Sequence, residues 1–506
     1  KVLIDTNILI PAEGQDELPS ELQKLFQLIH SINAEIYCHQ ASLDDISRDD
    51  NIPRRNITVS KLSKYKILPM QQVFSKDSEF TLKVGAIKTP NDQTDVQLLF
   101  SVYCKAVDFL VTNDQKLIGR SIKVGCSEKV LDVLDAVNIF EGFLLKGKVP
   151  KPIALEEVFM DKIDYKQSFF DSLRSAYPAF DSWFAKKAQE KRKAFVHRSG
   201  DEIDAILVLK AENDSIPLIE RVLPSKRRLK ICLLKSDLNR SNIGELFIKI
   251  SIATALQHNI DEIYITHFAK GQDYLVSLIE RFGFKYAGKQ NTNNGQEEVF
   301  IKSLIGSAIV PEDENGISEF NRIYYPSFYD GKIVKKYVVP IKPEFYERLF
   351  PERESRQTML METAGQFLSE GNAIGKAYIC NAKILALKRN DLLVFYLSGK
   401  NSAATLIGTV ESTCRSADSD AIAKEVARRT VYSKKEISKM TAKGAGAMAI
   451  LFRLNFHFPK QCPLTVLERE KILNGPPQSI TEISHEKYIK LKELSQLDSI
   501  YTVSRP

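Results

Sequence analysis

The chain begins KVLIDTNILI (residues 1–10), where the apolar run 2–4 is followed at once by Asp5, Thr6 and Asn7. A short run of aliphatic and β-branched residues is typical of a strand buried on both faces of a parallel sheet. In open α/β sheets, ligands bind at the carboxyl ends of the strands, which is where Asp5 falls. The other interpretation is a helix N-cap, because Asp and Thr are favoured at that position.

More acids follow strands or open helices in the first part of the chain: Asp44 and Asp45 after AEIYC, Asp95 near the start of a helix predicted over 89–106, and Asp114 after VDFLVT. Two carboxylates about 4 Å apart repel by roughly 4 kcal/mol at an effective dielectric constant of 20. A converging group of them therefore needs a cation, and oxygen ligands suit Mg²⁺ or Mn²⁺. The pattern favours a divalent metal site that acts on a phosphodiester over a set of separate helix caps.

The motifs LIDTNIL, TDVQLL and LVTND resemble the PIN-domain nuclease family in their order and spacing. Over residues 1–145 the resemblance implies a PIN-like parallel α/β sheet and a metal-dependent endoribonuclease of single-stranded RNA. Asn7 and Thr112 match supporting positions of that family, and Asp44 is the neighbouring alternative to Asp45. The residues that the resemblance makes both catalytic and metal-binding are Asp5, Asp45, Asp95 and Asp114.

The segment 155–305 resembles the GNAT acetyltransferase fold, because LKICLLKSDLNRSNIGELFIKISIATALQHNIDEIYI (229–265) reads as strand, loop, long helix and strand. In that fold the loop before the helix binds the coenzyme A pyrophosphate with backbone N–H groups. Only the last glycine of the family pattern R/Q-x-x-G-x-G is present, and Ile279 stands where a tyrosine general acid is common. A catalytic domain and a scaffold stay open as alternatives. The residues that would bind acetyl-coenzyme A are Asn239, Arg240, Asn242, Ile243 and Gly244.

The segment 320–506 is strand-rich, and its stretch ALKRNDLLVFY resembles the signature of PUA-like barrels of the ASCH and EVE group. That resemblance implies an RNA-binding domain. Because cationic side chains supply most phosphate contacts, we expect this domain to carry most of the RNA affinity. Tyr396 is interpreted as a packing residue of a strand. The RNA-binding residues implied are Lys388, Arg389, Lys400, Arg428 and Arg429.

Composition limits the class of protein further. A length of 506 residues predicts about three domains, and 43% hydrophobic and 27% charged residues are typical of a soluble globular chain. Seven scattered cysteines without a C-x-x-C pair indicate a reducing compartment. No apolar run approaches the roughly 20 residues of a membrane span, so we expect a cytoplasmic protein without membrane contact. A net charge of +7 with clustered basic residues favours a nucleic-acid partner.

The fold class predicted from these features is an α/β multidomain chain: a PIN-like sheet, a GNAT-like domain and a β-rich PUA-like barrel, with linkers at 147–155 and 306–320. PIN and GNAT proteins are frequent among toxins, so the resemblance implies a toxin that acts on tRNA or other translation RNA and has a small antitoxin partner. One alternative is an acetyltransferase of protein or aminoacyl-tRNA with an accessory PIN domain. The other is a non-enzymatic RNA-binding regulator.

Overall fold

The computed structural model describes residues 1–12, 20–48, 50–68, 73–144, 154–236, 241–268, 274–292, 295–306, 311, 313–350, 366–368, 374–384, 386–400, 402–427, 429–444 and 446–504. Within this part of the chain no helix is both long and apolar enough to cross a membrane. The described strands form separate sheets, and the five-stranded N-terminal one is parallel throughout. The prediction of an α/β chain with a parallel N-terminal sheet is confirmed.

The N-terminal sheet has the strand order β3-β2-β1-β4-β5, and all its neighbouring strands run parallel. Its strands are β1 (Val2–Ile4), β2 (Ile36–His39), β3 (Lys66–Leu68), β4 (Phe109–Val111) and β5 (Val130–Leu131). The helices around it are α1 (Thr6–Ala12), α2 (Ser20–Ser31), α3 (Gln40–Ile46), α4 (Ile52–Leu62), α5 (Ser78–Val84), α6 (Pro90–Tyr103), α7 (Gln115–Val124) and α8 (Val133–Leu144).

Both faces of this sheet are buried, which explains why β1 is apolar throughout. Val2 and Ile4 belong to one hydrophobic core, and Leu3 belongs to the core on the opposite face. Successive side chains of a strand point to opposite faces, so a strand covered on both sides needs an apolar residue at every position. The helix predicted over 89–106 is confirmed as α6.

The central domain is built on an eight-stranded sheet in which β11 and β12 run parallel and the other paired neighbours run antiparallel. Its last strand, Gln366–Leu368, comes from far along the chain and pairs with β6. The elements are β6 (Ala154–Phe159), α9 (Asp171–Ala176), α10 (Phe180–Gln189), β7 (Lys193–Ser199), β8 (Glu202–Glu212), β9 (Ile216–Pro217), β10 (Val222–Leu223), β11 (Arg228–Ser236), α11 (Ser241–Gln257), β12 (Glu262–His267), α12 (Tyr274–Arg281), β13 (Lys285–Thr292) and β14 (Gly295–Ser303).

The C-terminal domain is built on a six-stranded sheet with the order β18-β21-β20-β19-β16-β22, buried between two hydrophobic cores. Its elements are α13 (Glu314–Ile323), β15 (Phe328–Tyr329), β16 (Lys336–Ile341), α14 (Pro343–Leu349), β18 (Gly375–Cys380), β19 (Leu392–Leu397), β20 (Ala403–Ser416), α15 (Ser419–Val426), α16 (Lys434–Thr441), β21 (Ala447–Pro463), α17 (Leu464–Arg469), β22 (Thr481–Ile483), α18 (His485–Leu494) and β23 (Thr502–Val503). The strand between α14 and β18 in the chain, β17 (Gln366–Leu368), belongs to the central sheet. Closure of this sheet into a barrel stays a prediction.

The structure corrects the interpretation of 306–320 as a linker. Asp313 caps α13 by accepting the backbone N–H of Gly316, and Ile317 and Phe320 are buried in a core of the C-terminal domain. The spacing of three between these two apolar residues places both on one face of the helix. The polar composition of the segment concealed this face. Of the other predicted linker, 147–155, only the last two residues lie within the described part of the chain.

Candidate active site

The first and fourth strands of the N-terminal sheet meet where the chain reverses its direction of travel across the sheet. The chain moves outward from β1 to β2 and β3 and then returns to β4 on the other side of β1. In open parallel sheets such a switch point forms a crevice at the carboxyl ends of the strands, where ligands bind. Asp5 follows β1, and Thr112 and Asp114 follow β4. The crevice is therefore lined by acidic and hydroxyl groups.

The Thr112 side chain links the two strand ends by hydrogen bonds. Its hydroxyl donates to Asp5 Oδ2 at 2.7 Å. The hydroxyl oxygen of Thr112 also accepts hydrogen bonds from Asn7 Nδ2 at 3.2 Å and from the backbone N–H of Asp114 at 3.0 Å. Asp5 also accepts the backbone N–H of Asn7, as a helix cap does. Asp5 is thus both the cap of α1 and a member of the acid group, and these contacts hold its buried carboxylate in place.

Asp114 has a similar double position at the start of α7. Its Oδ1 accepts the backbone N–H groups of Lys116 and Leu117 at 2.7 and 3.0 Å. The other oxygen, Oδ2, has no hydrogen-bond partner among the described residues. The cap therefore orients the carboxylate and leaves one oxygen available to a ligand.

Asp95 is the third acid of the group and the most perturbed. Burial, followed by the negative charges of Asp114 and Asp5, raises the pKa of its carboxyl to about 7. Arg120 opposes this shift in part. Burial also raises the pKa of Asp5, and the charge of Asp114 adds to that effect. The charge of Asp114 therefore disfavours the ionised forms of Asp95 and Asp5, and the charge of Asp5 disfavours that of Asp95.

Asp92 lies one helical turn before Asp95 and has the opposite electrostatics. It accepts bonds from Lys116 and Arg120, the latter at 3.1 Å, and from the backbone N–H of Lys88 at 2.9 Å. These partners, Lys116 foremost, hold the pKa of Asp92 far below its usual range despite its burial. Asp92 also completes the capping box that begins α6. Its function is structural, while Asp95 has no hydrogen-bond partner among the described residues.

The structure does not bring Asp45 into this group. Its carboxylate pairs with Arg48 three residues later in the chain, and its side chain is 32% exposed. Its charge is not among those that shift the pKa of Asp5 or Asp95. Asp44, the neighbouring alternative, accepts a bond from Gln40 at 2.9 Å. Three of the four predicted acids thus converge, and the fourth is replaced at the end of β2 by two other side chains.

Those two side chains are Cys38 and His39, which the sequence interpretation missed. Both are buried, and burial together with the charge of Asp5 raises the pKa of the Cys38 thiol to about 11. Burial lowers the pKa of His39 to about 4, so its ring is neutral, and Nδ1 accepts the backbone N–H of Ala41 at the start of α3. Neutral groups therefore close this side of the crevice.

Asp5, Asp95 and Asp114 offer only oxygen atoms, the type of ligand that a hard divalent cation prefers. Among the residues that the structure describes, no three His, Cys, Asp or Glu side chains lie close enough together to chelate one ion. Mg²⁺ commonly takes one or two carboxylates and keeps several waters, so a hydrated ion fits a group of oxygen ligands spaced more widely. Such an ion would offset the repulsion between carboxylates that contributes to the raised pKa of Asp95. Asp5, Asp95 and Asp114 are the residues that would hold it.

The predicted coenzyme A contacts are only partly within the described part of the chain. Asn239 and Arg240 lie outside it, and nothing is described of the Asn242 side chain. Ile243 is buried in the core of the central domain. A Cβ atom at Gly244 would lie 2.5 Å from a methyl carbon of Leu278, so this glycine allows α11 and α12 to pack closely.

The predicted RNA contacts of the C-terminal domain separate into two groups. Lys388, Arg389 and Lys400 are exposed, and Lys388 pairs with Glu314 at 3.5 Å. Arg428 lies outside the described residues. The remaining candidate, Arg429, requires a correction.

Arg429 lies where residues of all three domains meet, and most of its side chain is covered. It donates to Glu128 of the N-terminal domain at 2.6 Å and to Glu411 of its own domain. Its side chain is 9% exposed, and Arg429 with Arg453 holds the pKa of Glu411 far below its usual range. The guanidinium is therefore a structural ion-pair partner rather than a phosphate contact.

Comparisons with known proteins leave the family open. No protein-family model and no curated protein matches the sequence. Among solved structures, the chain is similar to the ASCH protein of Zymomonas mobilis, at 16% identity over 32% of this chain and 95% of that one, with a TM-score of 0.24. It is also similar to a Bacillus subtilis acetyltransferase in complex with coenzyme A, at 16% identity over 30% and 99% of the two chains, with a TM-score of 0.22. The chain is also similar to an N-acetyltransferase of Staphylococcus aureus Mu50, at 12% identity over 30% of this chain and 98% of that one, with a TM-score of 0.23.

Proposed function

We propose that this chain is a metal-dependent endoribonuclease whose chemistry takes place at the carboxyl end of the N-terminal sheet. The observation that supports this proposal is the position of Asp95, whose carboxyl lies beside Asp5 and Asp114 with a pKa raised to about 7. A group of acids at a switch point destabilises the folded chain unless a ligand compensates. A strongly perturbed pKa in a crevice is typical of a functional site.

The side chains divide the task by their contacts. Thr112 fixes the carboxylate of Asp5, and the start of α7 fixes that of Asp114. Asp95 would give up its proton when a cation binds, because the cation favours the ionised carboxylate. A Mg²⁺ or Mn²⁺ ion held there would supply positive charge to the phosphodiester and activate a water. The substrate class, single-stranded RNA such as tRNA loops, follows from the resemblance to PIN nucleases, as does the expectation of a small antitoxin protein.

The test is cleavage of total RNA by the full-length protein with Mn²⁺, with and without EDTA, followed by mapping of the new ends. We expect Asp5→Asn, Asp95→Asn and Asp114→Asn each to lose cleavage. Asp45→Asn is the matched control, because this acid pairs with Arg48 outside the group. We expect that variant to retain cleavage. Wild-type cleavage by the Asp5 and Asp95 variants, or cleavage that continues in EDTA, would contradict the proposal.

A second candidate function is coenzyme A-dependent acetyl transfer by the central domain. Strands β11 and β12 pair only over residues 229–231 and 263–265, although β11 continues to Ser236. The two strands separate toward their carboxyl ends, and such an opening in a parallel pair can admit a ligand. Against this candidate, Ile279 is fully buried in the core and offers no proton. Titration calorimetry with acetyl-coenzyme A decides it, since the absence of binding would leave the domain as a scaffold.

A further inference from the structure

A broad groove runs between the N-terminal, central and C-terminal domains. Its volume is about 930 Å³, and its walls come from α7, from α12 with the start of β13, and from α13 with the turn before β19. Among the described residues that line it, eight are lysine or arginine and two are glutamate. Such a concentration of one sign of charge raises the local concentration of a ligand of the opposite sign. The groove suits a polyanion.

Part of this charge is not neutralised within the chain. Five of the eight cations pair with nearby acids. The other three, Lys123, Lys285 and Arg389, are exposed and have no ion-pair partner among the described residues. They come from α7, the start of β13 and the turn before β19, so each of the three walls contributes one. A polyanion in the groove would meet an unpaired cation on every side.

An aromatic ring stands among these cations. The Tyr286 side chain is 51% exposed, and its ring makes an edge contact with Phe300 at 5.9 Å between centroids. It follows Lys285 directly in the chain and lines the same groove. Cationic grooves with exposed aromatic rings are typical of single-strand binding, because an unpaired base stacks on the ring while the phosphates meet the cations. A base inside a duplex cannot reach such a ring.

Helix α7 begins at the acid group and lines the groove along its length. Asp114 caps the first turn of this helix, and its ten residues extend for about 15 Å. Lys116, Arg120 and Lys123 follow at spacings of four and three, which places them along one side of the helix. All three line the groove. A strand bound along α7 would therefore lead directly to the acids.

We propose that this groove binds single-stranded RNA, with phosphates held by Lys123, Lys285 and Arg389 and a base stacked on Tyr286. The bound strand passes along α7 to the acid group. The purpose of the groove rests on the proposed nuclease function, but its affinity for RNA does not depend on cleavage. Most of the RNA affinity then belongs to the boundary between domains rather than to the C-terminal domain alone.

The first experiment measures fluorescence anisotropy of a labelled oligouridylate with the full-length protein in EDTA, over a range of salt concentrations. Each phosphate contact contributes about 0.7 to the slope of log K against log salt for a single strand. We expect reversal of the three unpaired cations to lower that slope by about 2. The control reverses three exposed lysines that neither line the groove nor belong to the RNA contacts predicted from the sequence, so that the net charge changes equally: Lys166→Glu, Lys460→Glu and Lys490→Glu.

The second experiment tests stacking. We expect Tyr286→Ala to weaken binding of the single strand about tenfold with an unchanged salt slope, and Tyr286→Phe to bind like wild type. Neither change should affect a duplex of the same length. Equal slopes for the groove and control variants, no effect of Tyr286→Ala, or no binding of the oligouridylate by wild type would each overturn the groove proposal. Failure of the nuclease proposal is distinct, since it would leave these binding results intact and remove only cleavage in Mn²⁺.

Discussion

The Asp95→Asn substitution removes a carboxyl whose pKa in the folded protein is raised to about 7 from an ordinary value of 3.8. Three pKa units correspond to about 4 kcal/mol, at 1.36 kcal/mol per unit. Because the folded-state pKa is the higher one, the folded protein binds more protons between these values, and its stability falls as the pH rises through them. Asparagine resembles the protonated carboxyl. We expect the variant to be more stable by up to about 4 kcal/mol at pH 8 and about 2 kcal/mol at pH 5.

The measurement must report on the N-terminal sheet itself. The only tryptophan, Trp183, packs in the central domain, so its fluorescence does not follow unfolding around Asp95. Hydrogen exchange of the backbone amides in β1 and β4 gives the free energy of opening of that region directly. The comparison is made in EDTA at both pH values. Added Mg²⁺ should stabilise wild type more than the variant, because a ligand that binds only the folded state raises its stability.

Asp92→Asn is the matched control, one helical turn away with the opposite sign. The folded-state pKa of Asp92 is depressed, so its contribution to stability is present above the ordinary pKa and is lost as the pH falls through the folded value. Its removal leaves Lys116 and Arg120 without their shared partner, and we expect destabilisation at pH 8. If Asp95→Asn leaves β1 exchange unchanged at pH 8, or changes it equally at pH 5 and pH 8, the three acids do not interact as argued.

Three further predictions concern Arg429, Gly283 and the binding of Mg²⁺. Arg429→Met should destabilise the protein by up to about 3–5 kcal/mol in calorimetry, because it removes a cation shared by two partly buried carboxylates, Glu128 and Glu411, whereas Lys400→Met at an exposed position should change stability by less than about 0.5 kcal/mol. Gly283→Ala should lower the melting temperature, since its Cβ would lie 2.2 Å from the carbonyl oxygen of Ile323 at a φ of +86°. Gly119→Ala should instead raise the melting temperature, because a Cβ atom there meets open space and the residue lies in a helix. A lower melting temperature for Gly119→Ala than for Gly283→Ala would contradict the close approach of Gly283 to Ile323. The affinity for Mg²⁺ should rise between pH 6 and pH 8, because binding displaces the proton of the Asp95 carboxyl, whose pKa is about 7. Calorimetry in buffers of different ionisation enthalpy measures the release of that proton. An affinity that stays constant over this pH range would count against the site.

Local pattern was sufficient to place Asp5 and Asp114, because a strand end and a helix start are both encoded by adjacent residues. It was not sufficient for Asp45, which follows β2 as expected but pairs with Arg48. An acid at a strand end can face the crevice or pair with a neighbouring cation. The hydrophobic pattern of the strand does not show which of the two occurs. The basic residues of α7 carried a readable signal, since Lys116, Arg120 and Lys123 repeat at helical spacing.

Long-range pairing explains what the sequence could not show in the C-terminal domain. Arg429 and Glu128 are 301 residues apart, and only the folded chain reveals that they neutralise each other. Likewise, the strand Gln366–Leu368 completes the central sheet from beyond the predicted domain boundary, because its pairing with β6 depends on backbone hydrogen bonds rather than on local composition. A basic cluster read from sequence therefore predicts a charged surface only where no distant acid meets it.

Helix α7 packs against α12, so the central domain can form a wall of the groove without acetyl transfer. The acids lie at the start of α7, and the cations of the same helix form one wall of the groove. The facing wall, with Lys285 and Tyr286, belongs to the central domain, and the third wall carries Arg389 of the C-terminal domain. The acid group repels phosphate, so the proposed nuclease would need binding energy from other surfaces. The close approach of Gly283 to Ile323 holds α12 against α13 and fixes the distance between two of those surfaces. If the groove binds RNA as proposed, the central domain contributes one of its three walls, and that contribution does not require acetyl transfer.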